Sequence, residues 1–303
     1  MDTLTGLLEG PKARGAFLLK SVFNPPWAVR IEDRAPLSVM TMVSGSAWLL
    51  PDGGEPVRVG PGDVAVVRGP VPYTVADCPD TPVRITVDEE QRCSLEGGAD
   101  VSRSMLLGVR TWGEADGSVV MLSGTYQEPG AIGRRLLDAL PAVLVRPPSA
   151  ADTALVSLLA TEISRSEPAQ ELVLDRLLDL LLIGVVRTWI AERGGAESDP
   201  VIGPALRLLH ENPAYGWTVA ELASKVGVSR AALARRFTEL IGEPPMAYLT
   251  GWRLALAADL LREPDATLAM VARRVGYGSA FALSTAFKRV RGLSPREFRT
   301  AAA

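Results

Sequence analysis

Two stretches near the carboxyl end decide the reading: TVAELASKVGVSRAALARRF (Thr218–Phe237) and TLAMVARRVGYGSAFALSTAF (Thr267–Phe287). Thr218, Ala223 and Gly227 recur 49 residues later as Thr267, Ala272 and Gly276. After one extra residue, Ser229, Leu233, Phe237, Gly242 and Pro245 recur at an offset of 50 as Ser279, Leu283, Phe287, Gly292 and Pro295. Matches at so steady an offset mean one structural unit used twice. The unit reads as helix, tight turn, helix. Thr218 and Thr267 are expected N-caps, with Glu221 completing a capping box in the first copy. Ala223 and Ala272 are small enough for a second helix to cross closely, and Gly227 and Gly276 free the backbone for the turn. Ser229 and Ser279 then cap the second helix of each pair. This is a helix-turn-helix pattern, whose second helix can enter a DNA major groove.

Helical spacing assigns the faces of each second helix. Leu233, Phe237 and Leu240 are expected to be buried in the first, and Leu283, Phe287 and Val290 in the second. Opposite them stand Ala231, Ala234, Arg235 and Thr238, flanked by Arg230 and Arg236. In the second copy Phe281, Ser284, Thr285 and Lys288 point outward. Between the copies, PPMAYLTGWRLALAADLLRE (Pro244–Glu263) reads as one long helix whose Leu249, Trp252, Leu256, Ala257, Leu260 and Leu261 can support both units.

With its closing run VARRVGYGSAFALSTAFKRVRGLSPREFR, the stretch from Pro200 to Arg299 resembles the DNA-binding domain of the AraC/XylS transcription regulators. The resemblance implies two helix-turn-helix units on one connecting helix, a double-stranded DNA operator as partner, and RNA polymerase as a further partner if the protein activates. Members of that family often carry Phe and Arg where this chain has Leu283 and Thr285, so the second unit is expected to read bases less strongly and mainly hold phosphates. Recognition helices are placed at 229–240 and 279–290. Arg235 is the expected direct reader, bidentate to guanine. Ala231 and Ala234 would allow close approach or touch a thymine methyl. Phe281 and Thr285, with Ser284 beside them, would do similar work in the next groove. Arg230, Arg236, Lys288 and Arg289 are expected to hold phosphates.

Charge is distributed to match. From Pro200 onward 14 Lys and Arg face 8 Asp and Glu, while the preceding residues carry 18 against 27. The whole-chain net of −3 thus hides a basic module behind an acidic one. At 303 residues the chain should hold two domains. The boundaries expected are 1–148 for a sensory domain, 149–192 for its helical extension, 193–200 (RGGAESDP) for a linker, and 201–303 for the DNA-binding domain. The first residues lack a basic start followed by an apolar core, and two cysteines suggest a reducing compartment, so a cytoplasmic protein is expected. The most apolar run, Leu172–Val186, contains Asp175, Arg176 and Asp179 and is no membrane span.

The amino-terminal half begins with a short amphipathic helix (Leu4, Leu7, Leu8) leading into a strand at Ala16–Lys20. From Pro36 to Val87 short apolar runs (LSVMTMV, SAWLL, VRV, DVAVV, YTVA, VRITV) alternate with Gly, Pro and Asp clusters. That spacing predicts an antiparallel β-barrel or sandwich. With its VGPGDVAVV strand it resembles the cupin-type barrel, a common sensory domain in that regulator family. The fold class expected is therefore α+β in two domains, a cupin-like barrel followed by helices and an all-α double helix-turn-helix. Further strands are expected around LLGVRTWG, SVVMLSGTYQ and AVLVRPP. Helices are expected at Gly133–Leu140, Ala150–Ser166 and Gln170–Glu192. In the last, Leu174, Leu178, Leu181 and Val185 form a stripe that can pack on the barrel or make a homodimer.

Cupin barrels can be metalloenzymes, using mainly histidine ligands, but the single histidine here, His210, lies in the helix-turn-helix region. No phosphate loop, dinucleotide fingerprint or Ser–His–Asp set is present. No metal, cofactor or catalytic residue is expected, and a cupin-type metalloenzyme with a regulatory tail is the alternative set aside. For a small-molecule effector the candidate pocket residues are Trp27, Met40, Met42, Trp48, Tyr73 and Trp112. For a redox signal they are Cys78 and Cys93, the latter beside Arg92, which could favour its thiolate, but after three acids, which argue against it.

Overall fold

A computed structural model describes residues 17–126, 137, 139–193, 196, 198–263 and 265–301. The amino-terminal helix and most of the helix at Gly133–Leu140 expected from the sequence lie outside the described residues. By its internal contacts the chain divides into two units, one holding the described residues up to Val186 and the other those from Arg187 on.

The first unit is built on period-two strands. One sheet has the order β10 (Leu106–Gly108), β11 (Thr111–Gly113), β1 (Phe17–Phe23), β12 (Val119–Tyr126), β3 (Leu37–Ser44), β6 (Val64–Arg68), β13 (Val143–Arg146). The other runs β5 (Val57–Val59), β4 (Ala47–Pro51), β7 (Tyr73–Ala76), β2 (Ala28–Ile31), β8 (Ile85–Val87), β9 (Cys93–Leu95). Pairing is antiparallel as expected except at β1–β11 and β2–β8, which run parallel. Met40, Met42, Trp112 and Met121 of the first sheet share one core with Val29, Leu49, Tyr73 and Val75 of the second. The opposite faces of β1, β12 and β3 line up Leu18, Gly124 and Val39 in one row. A Cβ at Gly124 would stand 2.5 Å from Leu178 of α2 (Gln170–Arg193), so glycine there is what lets that helix lie close on the sheet. Ahead of α2, helix α1 (Ala150–Glu162) starts in a complete capping box between Ser149 and Asp152.

The second unit is helical: α3 (Ile202–Glu211), α4 (Val219–Lys225), α5 (Arg230–Ile241), α6 (Pro245–Leu260), α7 (Leu268–Arg274), α8 (Ala280–Arg291) and α9 (Pro295–Ala301). Two apolar clusters form its core. Ile202, Leu206, Leu222, Leu233 and Phe237 gather around the first turn with Leu249 of α6. Val271, Leu283 and Phe287 gather around the second with Trp252, Ala255 and Ala258 of α6 and Leu261 just past its end. The connecting helix thus serves both, one end in each cluster. Truncating a fully buried Phe237 or Phe287 should cost about 3–5 kcal/mol. His210 is a packing residue: its ring stacks on Trp252 with centroids 3.9 Å apart, and its Nε2 lies 2.7 Å from Tyr248 Oη.

Arg193–Pro200, expected as a linker, is not slack where it is described. Ala196 packs into the first helical cluster, and Asp199 Oδ1 accepts hydrogen bonds from Val201 N and Ile202 N, both at 2.9 Å, at the start of α3. Among the described residues no helix is long and apolar enough to cross a membrane.

Candidate functional site

The two turns are built as their residues dictate. Thr218 and Thr267 accept from the backbone N–H of Glu221 and Met270, and Ser229 and Ser279 from those of Ala232 and Ala282. Gly227 and Gly276 adopt φ of +74° and +84°, in the left-handed region that disfavours any side chain. The reciprocal half of the expected capping box is missing. The Glu221 carboxylate instead accepts a hydrogen bond from Tyr215 Oη, tying α4 to the preceding loop.

Both second helices have 12 residues and end at a left-handed glycine, Gly242 and Gly292. Leu233, Phe237, Leu283 and Phe287 are fully buried. Leu240 and Val290, expected inside, are 45% and 54% exposed, and Ile241 packs on the first cluster instead. A stripe that continues by four from Phe237 reaches 241, not 240, and the helix stops there.

The outward faces carry the predicted residues. Arg230, Ala231, Ser229, Ser279, Thr285, Lys288 and Arg289 are exposed, Ala234 and Ser284 half-buried. The Arg235 side chain is 77% exposed and makes a loose 3.8 Å approach to Glu239, which contributes little. Phe281 is 81% exposed, a large apolar ring left in water by the free protein. Arg236 departs from its expected role: Nε and Nη2 both donate to Asp199 Oδ2, at 2.9 and 2.5 Å. Burial pushes the Asp199 carboxyl up, but the hydrogen bonds from Ile202 N, Arg236 and Val201 N outweigh it and hold it below the ordinary carboxylate range. Arg253 donates to the carbonyls of Pro213 and Tyr215, and Arg299 to those of Leu261 and Ala266. Each of these three arginines thus has two of its nitrogens engaged by partners within the helical unit. Two exposed cations that the sequence reading passed over, Arg273 and Arg274, end α7.

In the first unit a cavity of about 200 Å³ opens between the sheets. Alternation sends Leu19, Ser21 and Phe23 of β1, Ser38 and Met40 of β3, and Met121, Ser123 and Thr125 of β12 to its wall. Val29 and Ile31 of β2 face it, and Asp33 keeps the same period beyond the strand end. Of the six candidate effector residues, Met40, Tyr73 and Trp112 line it. Trp27 and Met42 are buried elsewhere in the core and Trp48 is half-buried on β4; none of these three reaches the cavity. Burial raises the Tyr73 hydroxyl well above its ordinary range.

Cys78 is exposed and Cys93 lines the cavity, both as free thiols. The Arg92 guanidinium turns to Asp88 and Glu90, so it does not favour a Cys93 thiolate. Burial pushes the Cys93 thiol up to about 11, with the hydrogen bond to Ser102 opposing and Asp100 and Asp88 adding to the rise. The stripe Leu174, Leu178, Leu181 and Val185, offered as a dimer surface, is buried within this single chain. The apolar residues α2 leaves exposed are Leu172, Val173 and Leu180. Among the described residues no three His, Cys, Asp or Glu side chains gather as a metal site requires.

Comparison with known proteins places both units. Residues 2–191 match the cupin family and residues 222–301 the helix-turn-helix domain family. A Streptomyces lividans protein named as an AraC-like transcription regulator is 34% identical, with 99% of this chain and 98% of that protein covered. A Streptomyces antibioticus protein of the same name is 35% identical over the same shares. The regulator AlkR of Acinetobacter baylyi is 33% identical over 55% of this chain and 59% of its own length. These relatives are all named as regulators and give the metalloenzyme alternative no support.

Proposed function

The chain belongs to the AraC family of DNA-binding transcription regulators with a cupin domain, and from that premise we propose that α5 and α8 enter successive major grooves on one face of an operator. Successive grooves lie about one helical turn, ~34 Å, apart. The observation carrying this reading is that two helices of equal length, each serine-capped and glycine-stopped, turn the largely exposed side chains of Arg235 and Phe281 outward. Arg235 reads a guanine, and Phe281 packs on a thymine methyl or a sugar. Arg230, Lys288, Arg289, Arg273 and Arg274 hold phosphates, whereas Arg236 acts through Asp199.

The barrel serves as the receiver of a signal, without catalysis, in a cytoplasmic protein that works as a homodimer and, as an activator, meets RNA polymerase. The dimer face is the outer row of α2, the exposed Val173 and Leu180 with the half-buried Leu177 between them, spaced i, i+4, i+7. Leu180→Asp should convert a dimer to a monomer in light scattering, and Leu178→Ala should only destabilise.

Footprinting of the full-length protein tests the main reading. Two protected windows per half-site, one helical turn apart on one face of the duplex, are expected at low salt. A single protected groove, or none, would overturn it.

A further inference from the structure

The barrel cavity has a polar end that the family comparison does not explain. Asp33, only 7% exposed, sits at its wall. Its Oδ1 accepts from Ala35 N at 3.0 Å and its Oδ2 from Gln91 Nε2 at 3.2 Å. Among the described residues no Lys, Arg or His lines this cavity, and the ion pairs found elsewhere in the unit do not include Asp33. A buried carboxylate met only by neutral donors is costly, and a counter-charge would relieve that cost. Tyr73 beside it stays neutral because of its burial, so Asp33 sets the sign of this end.

The rest of the wall is apolar and aromatic. Phe23 and Trp112 meet edge to face at 5.9 Å, both on the cavity. At about 200 Å³ the space is below the ~300–1,000 Å³ that suits drug-sized ligands.

The geometry points to a small organic cation as the ligand of this cavity: a protonated amine seated on Asp33 and an apolar or aromatic body against Phe23 and Trp112. Anions such as carboxylates and phosphates are excluded, since the described wall offers them no positive charge and Asp33 repels them. This inference rests on the reading of the barrel as the signal receiver and adds the chemistry of the signal.

Three probes of one shape and different charge test it on the full-length protein: tyramine, the neutral alcohol tyrosol, and anionic 3-(4-hydroxyphenyl)propionate. Binding is followed calorimetrically and by tryptophan fluorescence. Tyramine is expected to bind at least about tenfold more tightly than either analogue. In Asp33→Asn, which keeps the acceptor for Ala35 N, that preference should vanish while tyrosol binding stays as it was. Equal or tighter binding of the alcohol or the acid, or no binding of tyramine at millimolar concentration, overturns the proposal. The wild-type ranking decides even where the variant does not fold. A footprint on the same wild-type preparation separates the two readings, because its loss removes the operator assignment and leaves the ligand ranking standing.

Discussion

Arg236 on α5 and Asp199 ahead of α3 are joined by two hydrogen bonds to one carboxylate oxygen, while the other oxygen holds the first turn of α3. A single acidic residue therefore fixes both the entry to the helical unit and the flank of its first recognition helix. Asp199→Ala should cost about 1–2 kcal/mol, mostly through the lost hydrogen bonds from Val201 N and Ile202 N, since the half-exposed Arg236 adds little. Because the folded carboxyl lies below its ordinary value, its contribution is present in full above about pH 4 and lost as pH falls through the folded value. Urea unfolding should show the wild-type advantage over Asp199→Ala shrinking in acid. A difference that is the same at neutral and acid pH would refute it.

Arginines on one helix should behave differently when removed. Arg235→Ala should cost about 1–3 kcal/mol on the operator and relax specificity at one base pair. Lys288→Ala should weaken operator and random DNA alike and lower the salt slope by about 1. Arg236→Ala should leave that slope unchanged, its guanidinium being paired already. Titrations of DNA over a range of salt concentrations measure all three.

The two turn glycines should tolerate alanine unequally. Both sit at positive φ, which costs an L side chain about 1–2 kcal/mol. At Gly227 a Cβ meets nothing within 4 Å, whereas at Gly276 it would fall 2.7 Å from Ala214 Cα. Backbone cannot swing aside, so Gly276→Ala should be worse than Gly227→Ala by at least about 1 kcal/mol. Equal midpoints in urea would contradict this.

Thiol reactivity should split cleanly. Iodoacetamide at neutral pH should label Cys78 and spare Cys93, which is buried and holds its proton until about pH 11. Peptide mass spectrometry with and without denaturant reads the difference. Early labelling of Cys93 in the native protein would restore it as a redox candidate.

The helical repeat was legible because caps, turn glycines and apolar spacing are local signals that one chain segment carries whole. Its limits were local too: only the structure shows that the buried stripe passes from Phe237 to Ile241 and leaves Leu240 in water. The barrel was legible as strands, but its cavity was not. Met40 and Met42 share a face of β3, yet only Met40 reaches the opening, because sheet order and curvature decide what lies across from each row. Asp33, Ser38 and Thr125 look solvent-facing in a sequence, since inward hydroxyls and outward ones alternate alike. Asp199 looks like linker in the sequence because its partner is 37 residues away.

The matched stops at Gly242 and Gly292 have a consequence for what the protein can spell. A helix of 12 residues spans about 18 Å, close to five base-pair steps of 3.4 Å. Each head can therefore register only a short word, and the letters between the two words go untouched. Substitutions in that gap should act only through how readily the duplex bends there.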